Sequence, residues 1–259
     1  MNESTQDPTI QSKGKLYGIG AGPGDPELLT LKAVRILKEC DVIAFPNTGE
    51  EETARRIVEA YIQSKPTLSC HFSMSRELSE RLACRGRAAR DIEILLKKGC
   101  SVGFVTLGDP TVYSTYLYVE ERLRSKGYDT EIVSGIPSFV AAAAAAKVSL
   151  CEGQEPLHIL PAQGNALEGM EELKGTLVIM KAGRNLKRLL TKASSMESEA
   201  TLIRRVGMQG EAIQKADRAQ DLLPLAPETP DYFSILMLRP TNHVPSSALS
   251  QKGAKEDSL

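Results

Sequence analysis

Residues 16–26, LYGIGAGPGDP, decide the fold of this chain. The apolar run at residues 16–19 is typical of a short buried strand, and it stops at a glycine-rich loop. Asp25 is a good N-cap and Pro26 a good first helical residue, so we expect a helix to follow the loop at once. The segment therefore predicts a strand, a tight loop and a helix, which is the unit from which α/β folds are built.

The same unit recurs along the chain. Further strands are predicted at residues 41–45, 101–106 and 130–133, and helices at residues 114–125 and 138–147. After a polar break at residues 151–156, a second set of strands is predicted at residues 157–160, 176–180, 201–206 and 232–238. We therefore predict two α/β domains, residues 15–151 and 152–240, and two disordered polar tails, residues 1–14 and 241–259.

Charge and composition exclude several classes of protein. Lys and Arg number 32 against 33 Asp and Glu in 259 residues, so the chain lacks the charge of a typical nucleic-acid or membrane-surface binder. No apolar run is long enough to cross a bilayer and the start does not resemble a signal peptide, so we expect a cytoplasmic protein. The five cysteines form no Cys-x-x-Cys pair and the three histidines lie far apart, which predicts no disulfide framework and no metal site.

The glycines of the first loop have two explanations. Without side chains they would let a ligand approach backbone N–H groups, but glycines between a strand and a helix are often only turn residues. The GxGxxG spacing of dinucleotide-binding folds fails from Gly18, Gly20 and Gly22, because none has a glycine five residues later. No Gly-Lys-Ser or Gly-Lys-Thr closes a phosphate-binding loop either. The glycines of the first loop therefore form either a plain turn or a site for a different ligand.

Two further loops follow predicted strands. Residues 107–114, LGDPTVYS, place Asp109 at the carboxyl end of a strand, where a carboxylate can hold ribose hydroxyls or an ammonium group. Gly-Asp-Pro is also a common turn without any ligand. Residues 135–138, GIPS, end with Ser138, which we interpret first as a helix N-cap and second as a cofactor contact.

Taken together, residues 16–33 and 107–114 resemble the tetrapyrrole methylase family of class III S-adenosylmethionine-dependent methyltransferases. Residues 135–138, 176–181 and 232–234 extend the resemblance in the same order, so it covers roughly residues 15–240. Within the family, residues 71–75 (HFSMS), residues 108–115 and the pair Met180-Lys181 are most similar to the enzymes that methylate precorrin-2 or cobalt-precorrin-2 at C(20).

The resemblance implies a fold and an activity. The fold would be two α/β domains with S-adenosylmethionine in the cleft between them, a tetrapyrrole in a trough, and a homodimer as the common assembly. The activity would be C-methylation of precorrin-2 or cobalt-precorrin-2 at C(20) in cobalamin biosynthesis, with S-adenosyl-L-homocysteine as the second product. The carboxylates of this anionic substrate would meet arginines, for which the first candidates are Arg76, Arg81, Arg85, Arg87 and Arg90. A solvated helix face is the simpler explanation of each arginine alone.

The resemblance also assigns roles to residues. Cofactor contacts are expected at Pro23 in the first loop, at Gly108, Asp109 and Val112 in the second, at Ser138 and Phe139 in the third, and at Met180, Lys181, Gly207 and Phe233 in the second domain. Tyr113 is expected to face the substrate and is our candidate catalytic residue. The proton that leaves the methylated carbon could be taken by a nearby carboxylate, by a tyrosine or by water. Pro137 stands where many relatives carry Ser or Thr, which leaves only a backbone contact to the cofactor there.

Two alternatives stay open at this point. The acceptor could be another tetrapyrrole, such as uroporphyrinogen III or another precorrin, while an RNA acceptor is disfavoured because the chain is not basic. A protein of a different class would be a non-catalytic scaffold that binds S-adenosylmethionine. The intact loops at Pro23 and at Gly108-Asp109 argue against the scaffold, because it would have no need of cofactor-binding residues.

Overall fold

The computed structural model describes residues 14–47, 51–73, 75, 77–229 and 231–241. The predicted tails therefore lie outside the described residues, except for Gly14 and Thr241. The chain forms two compact units, which divide between Ser138 and Phe139. This division falls before the boundary predicted at residues 151–152, because the helix between the two sets of strands is grouped with the second unit.

The first unit alternates strands and helices. Its elements are β1 (Lys15–Gly20), α1 (Leu31–Glu39), β2 (Val42–Asn47), α2 (Glu51–Ile62), β3 (Thr67–His71), α3 (Leu78–Lys97), β4 (Val102–Thr106), α4 (Tyr116–Arg124) and β5 (Asp129–Val133). The five strands are all parallel and are ordered β3-β2-β4-β1-β5. Their carboxyl ends therefore meet at one edge of the sheet, which is where ligands bind in folds of this class.

Helices cover both faces of this sheet. On one face, Leu16 and Phe104 pack with residues of α3 and α4, and on the other, Ile19 and Ile43 pack with residues of α1 and α2. Phe104 and its neighbour Val105 in β4 thus belong to opposite layers, as the strand period of two requires. Strands that are buried on both faces have continuous apolar sequences, which explains why the strands at residues 42–45 and 102–106 can be predicted from the sequence.

The helix predicted to begin at Pro26 begins later. Asp25 caps only a three-residue 3₁₀ turn, Pro26–Leu28, where its carboxylate accepts the Glu27 N–H at 2.9 Å. Leu29 and Thr30 are extended, and α1 starts after Thr30, whose hydroxyl accepts the Ala33 N–H at 3.1 Å. The prediction was wrong because the segment contains two good caps, and the second one starts the α-helix.

The second unit has a mixed sheet. Its elements are α5 (Ser138–Ala146), which begins at the unit boundary, β6 (Leu157–Pro161), β7 (Thr176–Met180), α6 (Leu186–Ala193), β8 (Ser198–Arg204), β9 (Ala212–Ala216) and β10 (Ser234–Pro240). The strand order is β6-β7-β10-β8-β9. Strands β6 and β7 are parallel, whereas β10 runs antiparallel to both β7 and β8. The first residues of β10 therefore lie beside the last residues of β7 and β8.

No described helix combines the length and apolar character that a membrane span would need.

A charge network at the start of β1 gives a testable pH dependence. Lys32 and Lys15 lie 2.7 Å and 2.9 Å from the Glu131 carboxylate and hold its pKa at about 2. Because this pKa is about 4.3 in an unfolded chain, the ion pairs stabilise the fold above that pH and lose their effect as the pH falls toward 2. Glu131→Gln is therefore expected to lower the free energy of unfolding at neutral pH by about 1 kcal/mol, a modest value because solvent screens these partly exposed groups.

Urea unfolding of the wild type and of Glu131→Gln, at neutral pH and at about pH 2.5, measures this effect. The difference between the two proteins should shrink at the lower pH. A difference that stays constant with pH would contradict the role of the Glu131 charge.

Candidate functional site

The first and second loops are joined through their backbones. Gly22 and Gly108 form an isolated antiparallel bridge, in which the Gly108 N–H donates to the Gly22 carbonyl at 2.7 Å and the Gly22 N–H donates back at 3.2 Å. Pro23 and Asp109 come directly after these two glycines, and both are buried. The two loops that the sequence placed at separate strand ends therefore meet.

The third loop reaches the same place. Gly20 and Gly135 are in close contact, so that a Cβ added to Gly20 would lie 2.5 Å from the Gly135 nitrogen and 2.7 Å from the Gly108 carbonyl oxygen. All these atoms belong to the backbone, and a side chain at Gly20 or Gly135 would force the strands apart. The ends of β1, β4 and β5 thus meet without intervening side chains.

Asp109 connects the second loop to the third. Its Oδ1 accepts the Thr111 N–H at 2.8 Å and the Thr111 hydroxyl at 2.5 Å, and its Oδ2 accepts the Gly135 N–H at 3.0 Å. Burial alone would raise the pKa of this carboxyl, but the hydrogen bonds from Thr111, Gly135 and Ser134 outweigh it and hold the pKa below its usual value. Asp109 is therefore an anion whose oxygens mainly serve the protein itself.

The rest of the second loop presents two predicted residues. The Val112 N–H donates to the Asp109 carbonyl at 3.1 Å, which closes the turn. Tyr113 follows with a left-handed backbone (φ 49°), and its side chain is 46% exposed. A bulky residue rarely adopts this conformation, which is commonest at functional sites.

Ser138 lies beside the second loop. Its nitrogen is 3.8 Å from the position that a Cβ on Gly108 would occupy. Ser138 is the first residue of α5, one position later than the N-cap role that the sequence favoured. Phe139 follows it in the chain, is buried, and belongs to the second unit.

In the second unit, three predicted residues come together at the junction of β7 and β10. Met180 is the last residue of β7 and pairs with Ile235 of β10, two positions after Phe233. Lys181 is left-handed (φ 59°), and its Nζ lies 5.3 Å from the centre of the Tyr232 ring.

The end of β8 adds Gly207 to this group. The Arg205 N–H donates to the Phe233 carbonyl at 2.8 Å, which joins the end of β8 to the start of β10. Gly207 comes two residues later with φ 69°, and its N–H donates to Oε2 of Glu211 at 2.7 Å. Nine of the ten predicted cofactor residues thus fall into two groups, five in the first unit and four in the second, while Phe139 is the first residue of the second unit.

Sequence reasoning missed Asp231. Asp231 directly precedes the predicted segment of residues 232–234 and accepts hydrogen bonds from three groups of the second unit. An Asp followed by an N–H two residues later is a common turn signal, which could have drawn attention to it.

Most of the expected substrate arginines lie on α3, except Arg76, which is outside the described residues. The Arg85 guanidinium stacks on the Tyr118 ring with 3.4 Å to its centre, and Arg87 donates to the Cys84 sulfur at 2.9 Å. Within the described part of the chain, Arg81, Arg85, Arg87 and Arg90 form no ion pair. Arg87 nevertheless interacts at longer range with the Glu80 carboxylate and contributes to lowering its pKa.

No metal cluster is present among the residues with a described position, since no three His, Cys, Asp or Glu side chains gather there. All five cysteines are free.

Comparison with known proteins gives consistent matches. Residues 15–220 match the family Tetrapyrrole (Corrin/Porphyrin) Methylases. A Methanocaldococcus jannaschii protein named "Probable cobalt-precorrin-2 C(20)-methyltransferase" is 41% identical over 68% of this chain and 76% of its own. The Salmonella typhimurium cobalt-precorrin-2 C(20)-methyltransferase is 35% identical over 73% of this chain and 85% of its own. The crystal structure of Thermus thermophilus uroporphyrin-III-C-methyltransferase is 26% identical, with a TM-score of 0.66, over 87% of this chain and 92% of that chain.

Proposed function

The chain belongs to the tetrapyrrole methylase family, and from this membership we propose that it transfers a methyl group from S-adenosylmethionine to C(20) of cobalt-precorrin-2 or precorrin-2, in cobalamin biosynthesis. Support for this acceptor comes from the two relatives whose names carry the activity, at 41% and 35% identity. The observation that carries the proposal within the structure is the junction of the three loops at Gly20, Gly108 and Gly135.

The junction suits a cationic ligand that lies against the backbone. Its glycines leave no side chain between the strand ends and a ligand. Asp109 keeps a negative charge at neutral pH, which attracts a positive group. We propose that Pro23, Gly108, Asp109, Val112, Ser138 and Phe139 hold one part of S-adenosylmethionine, with Asp109 acting mainly through the loops it fixes. Met180, Lys181, Gly207 and Phe233 of the second unit would hold the other part.

The residues of the chain need to supply little chemistry. The sulfonium of S-adenosylmethionine is already a strong methyl donor when bound, and the meso carbon of a partly reduced tetrapyrrole is already a nucleophile. The loops therefore act by aligning donor and acceptor and by excluding water, which accounts for most of the expected rate acceleration. We propose that Tyr113, exposed beside the second loop, relays the proton that leaves the methylated carbon, its hydroxyl oxygen accepting that proton as its own O–H proton passes to water.

The substrate carboxylates need positive partners. Arg81 and Arg85 lie in the first two turns of α3, whose first residue is on the side of the sheet where the parallel strands end. A guanidinium that stacks on a ring, as Arg85 does on Tyr118, keeps its edge N–H groups free for a carboxylate. We propose these two arginines as the first contacts of the anionic tetrapyrrole.

Incubation of the enzyme with S-adenosylmethionine and a trial tetrapyrrole tests the proposal. Cobalt-precorrin-2 or precorrin-2 should gain the mass of one methyl group and change its absorption spectrum, whereas uroporphyrinogen III should not react. Tyr113→Phe should lower the turnover number while the affinity for S-adenosylhomocysteine stays the same. Methylation of uroporphyrinogen III alone would replace the proposed acceptor. Binding of the cofactor without methylation of any tetrapyrrole would identify a scaffold.

We also propose that the enzyme works in the cytoplasm as a homodimer. The support is the assembly common in the family it resembles. Light scattering should give twice the mass of one chain, and the mass of a single chain would contradict the dimer. Cell fractionation checks the compartment.

A further inference from the structure

We infer that Asp231 and Arg205 form a positioning pair that holds the second-unit part of the cofactor site in shape. This inference rests on the proposed function, because it concerns the strand ends that carry Met180, Gly207 and Phe233. Neither member of the pair is assigned a contact with the cofactor or the substrate.

The Asp231 carboxylate joins two of these strand ends. Its Oδ2 accepts from the Arg205 Nε at 2.6 Å, and its Oδ1 accepts the Phe233 N–H at 3.1 Å. The Asp231 side chain is only 12% exposed, whereas that of Arg205 is 50% exposed. A charge-assisted hydrogen bond to a mostly buried carboxylate is stronger than an exposed ion pair, so this contact fixes both ends.

The Asp231 carbonyl adds the third strand end. It accepts the Ser234 hydroxyl at 2.7 Å, and Gly183 packs directly against it, so that a Cβ on Gly183 would lie 1.7 Å from the carbonyl oxygen. Gly183 comes three residues after Met180, the end of β7. One residue therefore touches the segments that follow β7 and β8 and the segment that precedes β10.

Arg205 holds a backbone conformation that needs this support. Its φ is 53°, which an L side chain rarely adopts, and its N–H donates to the Phe233 carbonyl at 2.8 Å. The turn places Gly207 two residues beyond. The hydrogen bond from the Arg205 side chain to Asp231 stabilises this left-handed turn. Backbone strain of this kind persists only where the surrounding structure holds it in place.

The pair has a counterpart in the first unit. Asp109 also uses both carboxylate oxygens to join strand-end segments, namely the second loop and Gly135. Each unit thus contains one carboxylate that sets the positions of its predicted cofactor residues. Preorganised loops bind a ligand more tightly because less ordering remains to be done on binding.

The test uses Asp231→Asn, Arg205→Gln and the double variant in the full chain. Each single substitution should raise the Kd for S-adenosylhomocysteine and the KM for S-adenosylmethionine about tenfold, as loss of one charge-assisted hydrogen bond predicts. The turnover number should change less than twofold, because the pair does not meet the reacting atoms. The Kd of the double variant should not exceed the higher of the two single-variant values, since both substitutions remove the same interaction.

Glu171→Gln is the matched control. It breaks an ion pair to Lys192 (3.0 Å) in the same unit, and since neither residue is a predicted site residue, Kd and KM should be unchanged. If Asp231→Asn fails to fold, Arg205→Gln still decides, because the Arg205 side chain is half exposed. Wild-type affinity in both single variants, or a turnover number that falls with KM unchanged, would overturn the inference. A wild type that does not bind S-adenosylhomocysteine would instead overturn the proposed function itself.

Discussion

Gly20→Ala is expected to lower the affinity for S-adenosylhomocysteine by about 100-fold or more. The added Cβ would lie 2.5 Å from the Gly135 nitrogen, 2.6 Å from its Cα and 2.7 Å from the Gly108 carbonyl oxygen. Each of these atoms is backbone, so no side chain can rotate away, and the ends of β1, β4 and β5 must separate. Overpacking of this kind costs about 1–3 kcal/mol or more, and here the displacement falls on the proposed cofactor loops.

Calorimetric titration with S-adenosylhomocysteine measures this effect, and circular dichroism shows whether the fold is retained. Gly86→Ala is the control, because its Cβ would meet only the ends of the Arg90 and Arg122 side chains, at 3.6 Å and 3.7 Å. That variant should bind normally and gain about 0.5–1 kcal/mol of stability, since Gly86 lies within α3. Near-normal binding by a folded Gly20→Ala protein would mean that the loop junction is not part of the cofactor site.

Asp109→Ala is expected to weaken the same affinity by about 30-fold, the equivalent of roughly 2 kcal/mol. The substitution leaves the Gly135 N–H and two groups of Thr111 without their acceptor, in a place where the side chain is only 6% exposed. Asp109→Asn should act in the same direction, because one amide position is a donor and cannot accept from an N–H. The low pKa of Asp109 means that the wild-type carboxylate stays charged in mildly acidic buffer.

Asp41→Asn is the control for Asp109→Asn. The Asp41 carboxylate also accepts a backbone N–H and a hydroxyl, both from Ser101 at 2.7 Å, but it precedes β2 and thus lies at the opposite edge of the sheet. Because Asp41 is exposed, whereas Asp109 is buried, this variant should lose less stability, and it should keep its cofactor affinity. If the substitutions at Asp41 and Asp109 lower the affinity for S-adenosylhomocysteine equally, Asp109 acts only through the stability of the fold and not through the loops.

Four of the five strands of the first unit could be predicted from the sequence, because their signals are local. Buried parallel strands are continuous apolar runs, and the rule that ligands bind at their carboxyl ends brought Pro23 and Asp109 to one edge. The start of the first helix was misplaced because Asp25 and Thr30 are both good caps, and only packing decides between them. Strand β3 was not predicted because it is a mostly exposed edge strand with the mixed sequence TLSCH.

Much of the second unit depends on contacts between residues far apart in sequence. Asp231 meets Arg205, which lies 26 positions earlier, and Gly183, which lies earlier still. Strand β9 has the short mixed sequence AIQKA and forms the far edge of its sheet, so its apolar pattern is weak. No local sequence pattern predicts such pairings, because they depend on the order of the strands in the sheet.

The order of strands in the first sheet has a consequence for synthesis of the protein. Among the described strands, β1 is bonded to β4 and β5, from which it is separated in the chain by five and by seven helices and strands. On the ribosome, the apolar segment of residues 16–19 has no partner strand until β4 has emerged, and it lacks its second partner until residues up to Val133 have emerged. Pairing across such a distance is slow, and an unpaired apolar segment promotes aggregation meanwhile. Chaperone dependence during translation is therefore expected to be greatest before β5 is complete.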